Sequence, residues 1–164
     1  VKMTDPVHLH MNRNLTLDGK DYTVHSIDTG VPHAVVFVED IEQTDVRTLG
    51  SLIRHHEAFM PAGTNVNFAQ DQGETIKVRT YERGVEDETL ACGTGAAASA
   101  IIAALLDQAA SPVDIMTSGG DRLTILFDFK KTKGSVTDHT VYNVFLKGPA
   151  HTIYSGELDA EALL

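Results

Sequence analysis

The sequence predicts an α+β fold: a curled, mostly antiparallel sheet wrapped around one apolar helix, with a second helix on the surface. Three observations carry this reading. Strand patterns dominate, about ten of them by period-two alternation and turn punctuation. Only two segments have helical spacing. Those helices do not alternate with the strands, which argues against a doubly wound α/β arrangement.

Leu15 to Asp28 reads as a hairpin, because Asp18-Gly19 is a turn dipeptide and Tyr22, Val24 and Ser26 alternate after it. Ala34 to Val38 is a continuous apolar run, the signature of a strand covered on both faces. The first helix spans about Asp45 to Phe59. Val46, Leu49, Leu52 and Ile53 form its apolar stripe, and Thr44 or Asp45 caps it. Thr64 to Gln70 and Thr75 to Glu82 are strands around Asp71-Gln72-Gly73. The second helix spans about Thr94 to Leu106 and carries no charge on any face, so it must be enclosed. Leu123, Ile125, Phe127 and Phe129 alternate, as do Tyr142, Val144 and Leu146. His151 to Ser155 closes the set as a last strand.

Composition narrows the function classes. The chain has 164 residues, 42% of them hydrophobic, which suits one domain (residues 1–164) with a substantial core. A single cysteine excludes an intrachain disulfide and any cysteine-rich metal site. A net charge of −10 argues against nucleic acid and anionic membranes as partners. The longest run of apolar and small residues, Ala96 to Leu106, falls far short of the roughly 20 residues that span a bilayer. No targeting segment opens the chain, so the expected localisation is cytoplasmic. It opens on Val1 rather than Met, which suggests a piece of a longer polypeptide.

The segment that carries chemistry is Glu82-Arg83-Gly84 through Leu90-Ala91-Cys92-Gly93-Thr94-Gly95. It places the cysteine at the mouth of the enclosed helix. The first turn of a helix offers unpaired N–H donors and a partial positive charge. A thiol there ionises more easily, and a carboxylate ligand can dock on the same donors. The competing reading is a buried structural cysteine. No G-x-G-x-x-G follows a strand, so a Rossmann site is excluded. A cysteine hydrolase would need a histidine beside the thiol, which the sequence does not place. His8 and His10 share a strand face and His55-His56 lies near a helix end, but a two-histidine site lacks a third ligand, so no metal is expected.

The run from Glu82 to Ala96 resembles the second catalytic-cysteine motif of the diaminopimelate epimerase family. Thr29-Gly30-Val31-Pro32-His33 resembles that family's Gly-Asn-Pro-His loop, and Asn65-Val66-Asn67-Phe68 its Asn-Val-x-Phe strand. Gly119-Gly120 and Gly148-Pro149-Ala150 match later landmarks. The similarity covers nearly the whole chain but only the C-terminal half of the family pattern.

The resemblance implies a diaminopimelate-epimerase-like domain. It also implies interconversion of LL- and meso-diaminopimelate by two cysteines without a cofactor, in lysine and peptidoglycan precursor synthesis. Cys92 would be one acid/base, and the partner cysteine would lie in an N-terminal domain absent from this chain. The chain alone would then be inactive. Gly93 and Thr94 would offer N–H groups to the reacting carboxylate, Asn65 and Arg83 would hold the distal end, and Glu82 and His33 would contact substrate or tune the thiol. Each has a plainer reading: Arg83 as ion-pair partner of Glu86 or Glu88, Glu82 as a solvated strand-end charge, Asn65 as a turn residue, His33 as a satisfied polar group. Val31 stands where the family often has Asn, removing one polar contact and leaving substrate preference open. Alternatives are another two-cysteine racemase of the same fold, or a noncatalytic ligand-binding or dimerising module. A face exposed by the missing half leaves a homodimer open.

Overall fold

The computed structural model describes residues 1–131, 139–150, 152–157, 159 and 161. In chain order the strands are β1 (Val7–Leu17), β2 (Lys20–Asp28), β3 (Pro32–Phe37), β4 (Asn65–Asp71), β5 (Ile76–Glu82), β6 (Asp87–Thr89), β7 (Val113–Thr117), β8 (Arg122–Lys131) and β9 (His139–Lys147). Helix α1 (Val46–Arg54) lies between β3 and β4, and α2 (Gly93–Leu105) between β6 and β7. The sheet runs β1-β2-β3-β4-β5-β7-β8-β9, with β6 paired to β5 off this path. Pairings are antiparallel except β3–β4 and β5–β7, each bridged by a crossover containing one helix.

The sheet curls around α2, which packs against β2, β3, β4, β5, β7, β8 and β9. Ala96 to Ala104 are all buried, as an uncharged helix requires. Alanine keeps the helix thin, so strands close on it from several sides. On the opposite face of the sheet, α1 covers β4 and β5. Alternation along β3 and β4 serves both layers: Val35 and Ala69 face α2, whereas Ala34, Val36, Val66 and Phe68 face α1. The apolar run at β3 is therefore covered on both sides, as expected.

The β1–β2 turn is the expected Asp18-Gly19. Leu17 pairs with Lys20, and both turn residues have positive φ (48° and 77°), as a two-residue hairpin turn needs. Asp45 caps α1, accepting from Thr48 N–H at 3.1 Å. Val46 and Ile53 are buried, with Leu49 and Leu52 packed beside them.

The structure corrects four expectations. Helix α1 stops at Arg54, not Phe59; Glu57–Phe59 is a separate 3-10 turn. One helical repeat beyond Ile53 stand His56 and Glu57, which have nothing to bury, so the stripe ends and the helix with it. Strands β6 and β7 were not anticipated. Tyr142, Val144 and Leu146 do not share a face: Asn143 adopts φ 54° at a register shift against Leu126–Asp128, so Val141 and Val144 point inward and Tyr142 outward. Finally, Thr152 to Ser155 form no strand; His151 lies outside the described residues.

Seating α1 depends on one close approach. A Cβ on Gly50 would stand 2.5 Å from Tyr81 Cβ and 2.6 Å from its Cγ. Gly50→Ala is therefore expected to cost about 1–3 kcal/mol through overpacking, despite alanine's better helix propensity. Urea unfolding measures this; a midpoint equal to wild type would contradict the packing described.

Candidate active site

Cys92 is the N-cap of α2, in extended conformation (φ −136°, ψ 107°). Its sulfur accepts from Gly95 N–H at 3.4 Å and lies 3.5 Å from Thr94 Oγ1. The first α-helical bond runs from Ala96 N–H to Cys92 O (2.9 Å), so the N–H groups of Gly93 and Thr94 precede the ladder and face the helix mouth. Two contacts fix this mouth in place. Thr29 Oγ1 donates to Thr94 O at 2.9 Å, and Gly119 N–H donates to Leu90 O at 2.7 Å. The 29–33 loop and the Gly119-Gly120 turn, both singled out in the sequence, thus pin the cysteine segment from two sides.

His33 is fully buried on β3. Its Nε2 lies 2.9 Å from Thr94 Oγ1 and its Nδ1 3.0 Å from Asn67 Nδ2. Burial, and secondly the Arg83 charge, push its pKa down to about 3, so the ring is neutral. It also borders a cavity of about 180 Å³ shared with His8, His10, Asp28 and Phe59. Among the described residues, no three His, Cys, Asp or Glu side chains group to hold a metal ion.

The register of β3 against β4 sets His33 beside Asn65. Asn65 Nδ2 donates to Pro32 O (3.2 Å), and its Oδ1 accepts from Arg83 N–H (2.8 Å). The Arg83 guanidinium donates to Ala62 O (2.9 Å) and Gly63 O (3.4 Å), both neutral carbonyls. The anticipated competitors for it are taken: Glu86 pairs with Arg54 and Glu88 with Arg79. Among the described residues, the Arg83 cation has no carboxylate partner. Glu82, half-buried at the end of β5, has no side-chain partner among the described residues. The structure therefore joins Cys92, Thr94 and His33 in one hydrogen-bonded group, and Asn65 with Arg83 in a second beside it. Glu82 is bonded to neither.

Two residues of this arrangement were not anticipated. Buried Asn67 donates to Ala34 O at 3.0 Å as well as facing His33, and buried Thr80 donates to Asn67 Oδ1 at 2.9 Å. Asn67 has a signal in the sequence, its period-two spacing from Asn65 on one strand face; Thr80 has none.

The family model described as diaminopimelate epimerase matches residues 25–142. This chain belongs to the diaminopimelate epimerase family. It is 49% identical over 153 residues to a diaminopimelate epimerase of Aquifex aeolicus (strain VF5), a match covering 92% of this chain and 51% of the relative. It is 43% identical over 140 residues to one from Methanocella arvoryzae, covering 85% and 45%. The chain thus spans about half the length of the curated relatives it matches. A solved hydroxyproline epimerase from Agrobacterium vitis superposes with TM-score 0.63 at 16% identity, over 90% of this chain and 51% of that one. A probable proline racemase from Agrobacterium radiobacter gives 0.62 at 16% identity, over 91% and 52%. These structures bear out the fold: an α+β domain with a curled, mostly antiparallel sheet around a helix. No helix among the described residues is long and apolar enough to cross a membrane.

The buried neutral histidine has a measurable consequence. Its folded pKa, about 3, lies below the ordinary 6.5. The stability it contributes is complete above pH 6.5 or so and is lost as pH falls toward 3. Between pH 7 and pH 5 this amounts to about 2 kcal/mol. His25, also lowered by burial, acts in the same direction, so the comparison must be with His33→Gln rather than with theory. His33→Gln is expected to lose about 2 kcal/mol less than wild type over that range in urea titrations. Parallel pH curves would refute the neutral assignment.

Proposed function

We propose that this chain is the C-terminal half of a diaminopimelate epimerase, and that Cys92 is one of the enzyme's two acid/base groups. The observation that carries the proposal is the Cys92 sulfur at the mouth of α2, accepting from Gly95 N–H beside the leftover N–H groups of Gly93 and Thr94. An amino-acid α-proton is very weakly acidic. Its removal needs a base in line with the C–H bond and donors aimed at the carboxylate, where charge builds up. Gly93 and Thr94 would supply those donors. Cys92 would take or return the proton on one face of the α-carbon, and a cysteine from an N-terminal domain would act on the other.

Arg83 suits a second, distal carboxylate, because it is a cation held by neutral carbonyls and, among the described residues, unpaired with any acid. Asn65 ties the Arg83 backbone to β4 and sets its reach. Glu82 would accept from the substrate's distal ammonium, with which its unpaired carboxylate is compatible. The reaction would need no cofactor, would proceed in the cytoplasm, and would serve lysine and cell-wall precursor synthesis.

The test is deuterium incorporation at the α-carbon of diaminopimelate in D₂O, with proline and glutamate as competitors, by the polypeptide carrying both halves. Exchange confined to diaminopimelate supports the proposal. Preferential exchange of proline would favour another two-cysteine racemase, and no exchange with retained ligand binding a noncatalytic module.

A further inference from the structure

The hydrogen bonds behind Cys92 have a direction, and two residues to which the resemblance gives no role, Asn67 and Thr80, set it. Asn67 Nδ2 lies 3.0 Å from Ala34 O, a carbonyl that only accepts. The amide nitrogen must therefore stand there; turned over, two oxygens would face each other. Thr80 Oγ1, 2.9 Å from Asn67 Oδ1, donates to it and locks the same orientation. The second Asn67 N–H then points at His33 Nδ1, 3.0 Å away. A nitrogen that accepts a proton carries none, so the neutral ring holds its hydrogen on Nε2. From there it donates to Thr94 Oγ1 at 2.9 Å. The hydroxyl, already accepting, has its own hydrogen free for the neighbour at 3.5 Å, Cys92 Sγ.

We infer that Asn67 and Thr80 are positioning residues that fix His33 as the Nε2–H tautomer, so that the Thr94 hydroxyl donates to the Cys92 sulfur. Together with Gly95 N–H, this gives the sulfur two donors and favours its anionic form. Packing supports the arrangement: a Cβ on Gly95 would come 2.2 Å from Asn67 Oδ1 and 3.3 Å from Cys92 Sγ, so the bare backbone at this position admits both groups. With the opposite tautomer, Nε2 would draw the Thr94 hydrogen to itself and the sulfur would lose a donor. The inference rests on the reading of Cys92 as the proton-transferring group. Its test needs no turnover, so its failure and a failed exchange assay are separate results.

Two measurements on this chain decide it. The first is the ¹⁵N spectrum of His33 at neutral pH, assigned by its absence from His33→Gln. Wild type should show the Nε2–H pattern. Asn67→Asp, whose carboxylate accepts from the ring, should show Nδ1–H. The second is iodoacetamide alkylation of the lone cysteine at pH 7, which follows the thiolate fraction. Thr94→Val and Asn67→Asp should each slow it about tenfold, the effect of losing one hydrogen bond to a charged group, while Thr94→Ser restores it. If Asn67→Asp fails to fold, the wild-type tautomer and the Thr94 pair still decide. An Nδ1–H ring in wild type, or Thr94→Val reacting as fast as wild type, would overturn the inference.

Discussion

In the polypeptide carrying both halves, the proposed role of Cys92 makes a clear demand: Cys92→Ala is expected to abolish epimerisation, lowering α-proton exchange at least about 10³-fold in both directions, because removing one of the two proposed bases would leave the proton no group to reach or leave. The substitution is mild for the fold. The side chain is only half-buried, and its sulfur makes two long contacts, with Gly95 N–H at 3.4 Å and Thr94 Oγ1 at 3.5 Å. Losing a cap of this kind costs about 1 kcal/mol, so the urea midpoint should move little while activity disappears. Cys92→Ser keeps a cap but offers a far weaker acid, so it should fold like wild type and still fail to exchange. Wild-type exchange in either variant would remove Cys92 from the mechanism. Equal losses of stability and exchange would make it a structural residue.

The parts legible in the sequence were those whose environment is extreme. An uncharged stretch from Ala96 to Leu106 has one solution, enclosure, and the sheet that encloses α2 follows from it. Asp18-Gly19 specifies a hairpin by itself. Strand β6 could not be read this way. Asp87, Glu88 and Thr89 are all polar, and the strand is anchored to β5 by the Arg79–Glu88 pair (2.7 Å), a contact between residues whose pattern carries no apolar signal. Strand β7 does alternate, Val113 and Ile115 buried against Asp114 and Met116, but the apolar Met116 on the outward face blurs the pattern. The β9 bulge escaped because positive φ at Asn143 shifts the alternation partway along the strand.

The site divides the same way. Cys92, Gly93 and Thr94 declare themselves because glycines and a thiol sit where a helix begins. His33 could be named from its loop but not oriented, since its partners are 34 and 61 residues away. Asn67 and Thr80 look like ordinary strand positions until the register of β4 on β5 pairs them directly. Glu82 could be singled out by its place beside Arg83, yet nothing local told that its carboxylate would stand without a partner among the described residues.

Ala100→Glu is expected to prevent folding altogether. Ala100 has no exposed surface and sits midway along α2, within the cluster that includes Ile101, Ile115 and Ile125. A carboxylate there would have no cation within the helix and no water, and burying it unpaired or protonating it costs several kcal/mol. The larger side chain must also displace strands that approach closely because the residue is alanine. A domain's total stability is about 5–15 kcal/mol, so the combined cost consumes it. Gln108→Glu is the matched control. It adds the same charge just beyond the helix, on an exposed residue, where repulsion from the helix C-terminus is worth about 1 kcal/mol or less. Far-UV circular dichroism with urea titration separates them: no cooperative transition for Ala100→Glu, a near-wild-type one for Gln108→Glu. A cooperative, wild-type-like Ala100→Glu would mean that α2 is not enclosed, and the position of the cysteine at its mouth would then have to be rebuilt.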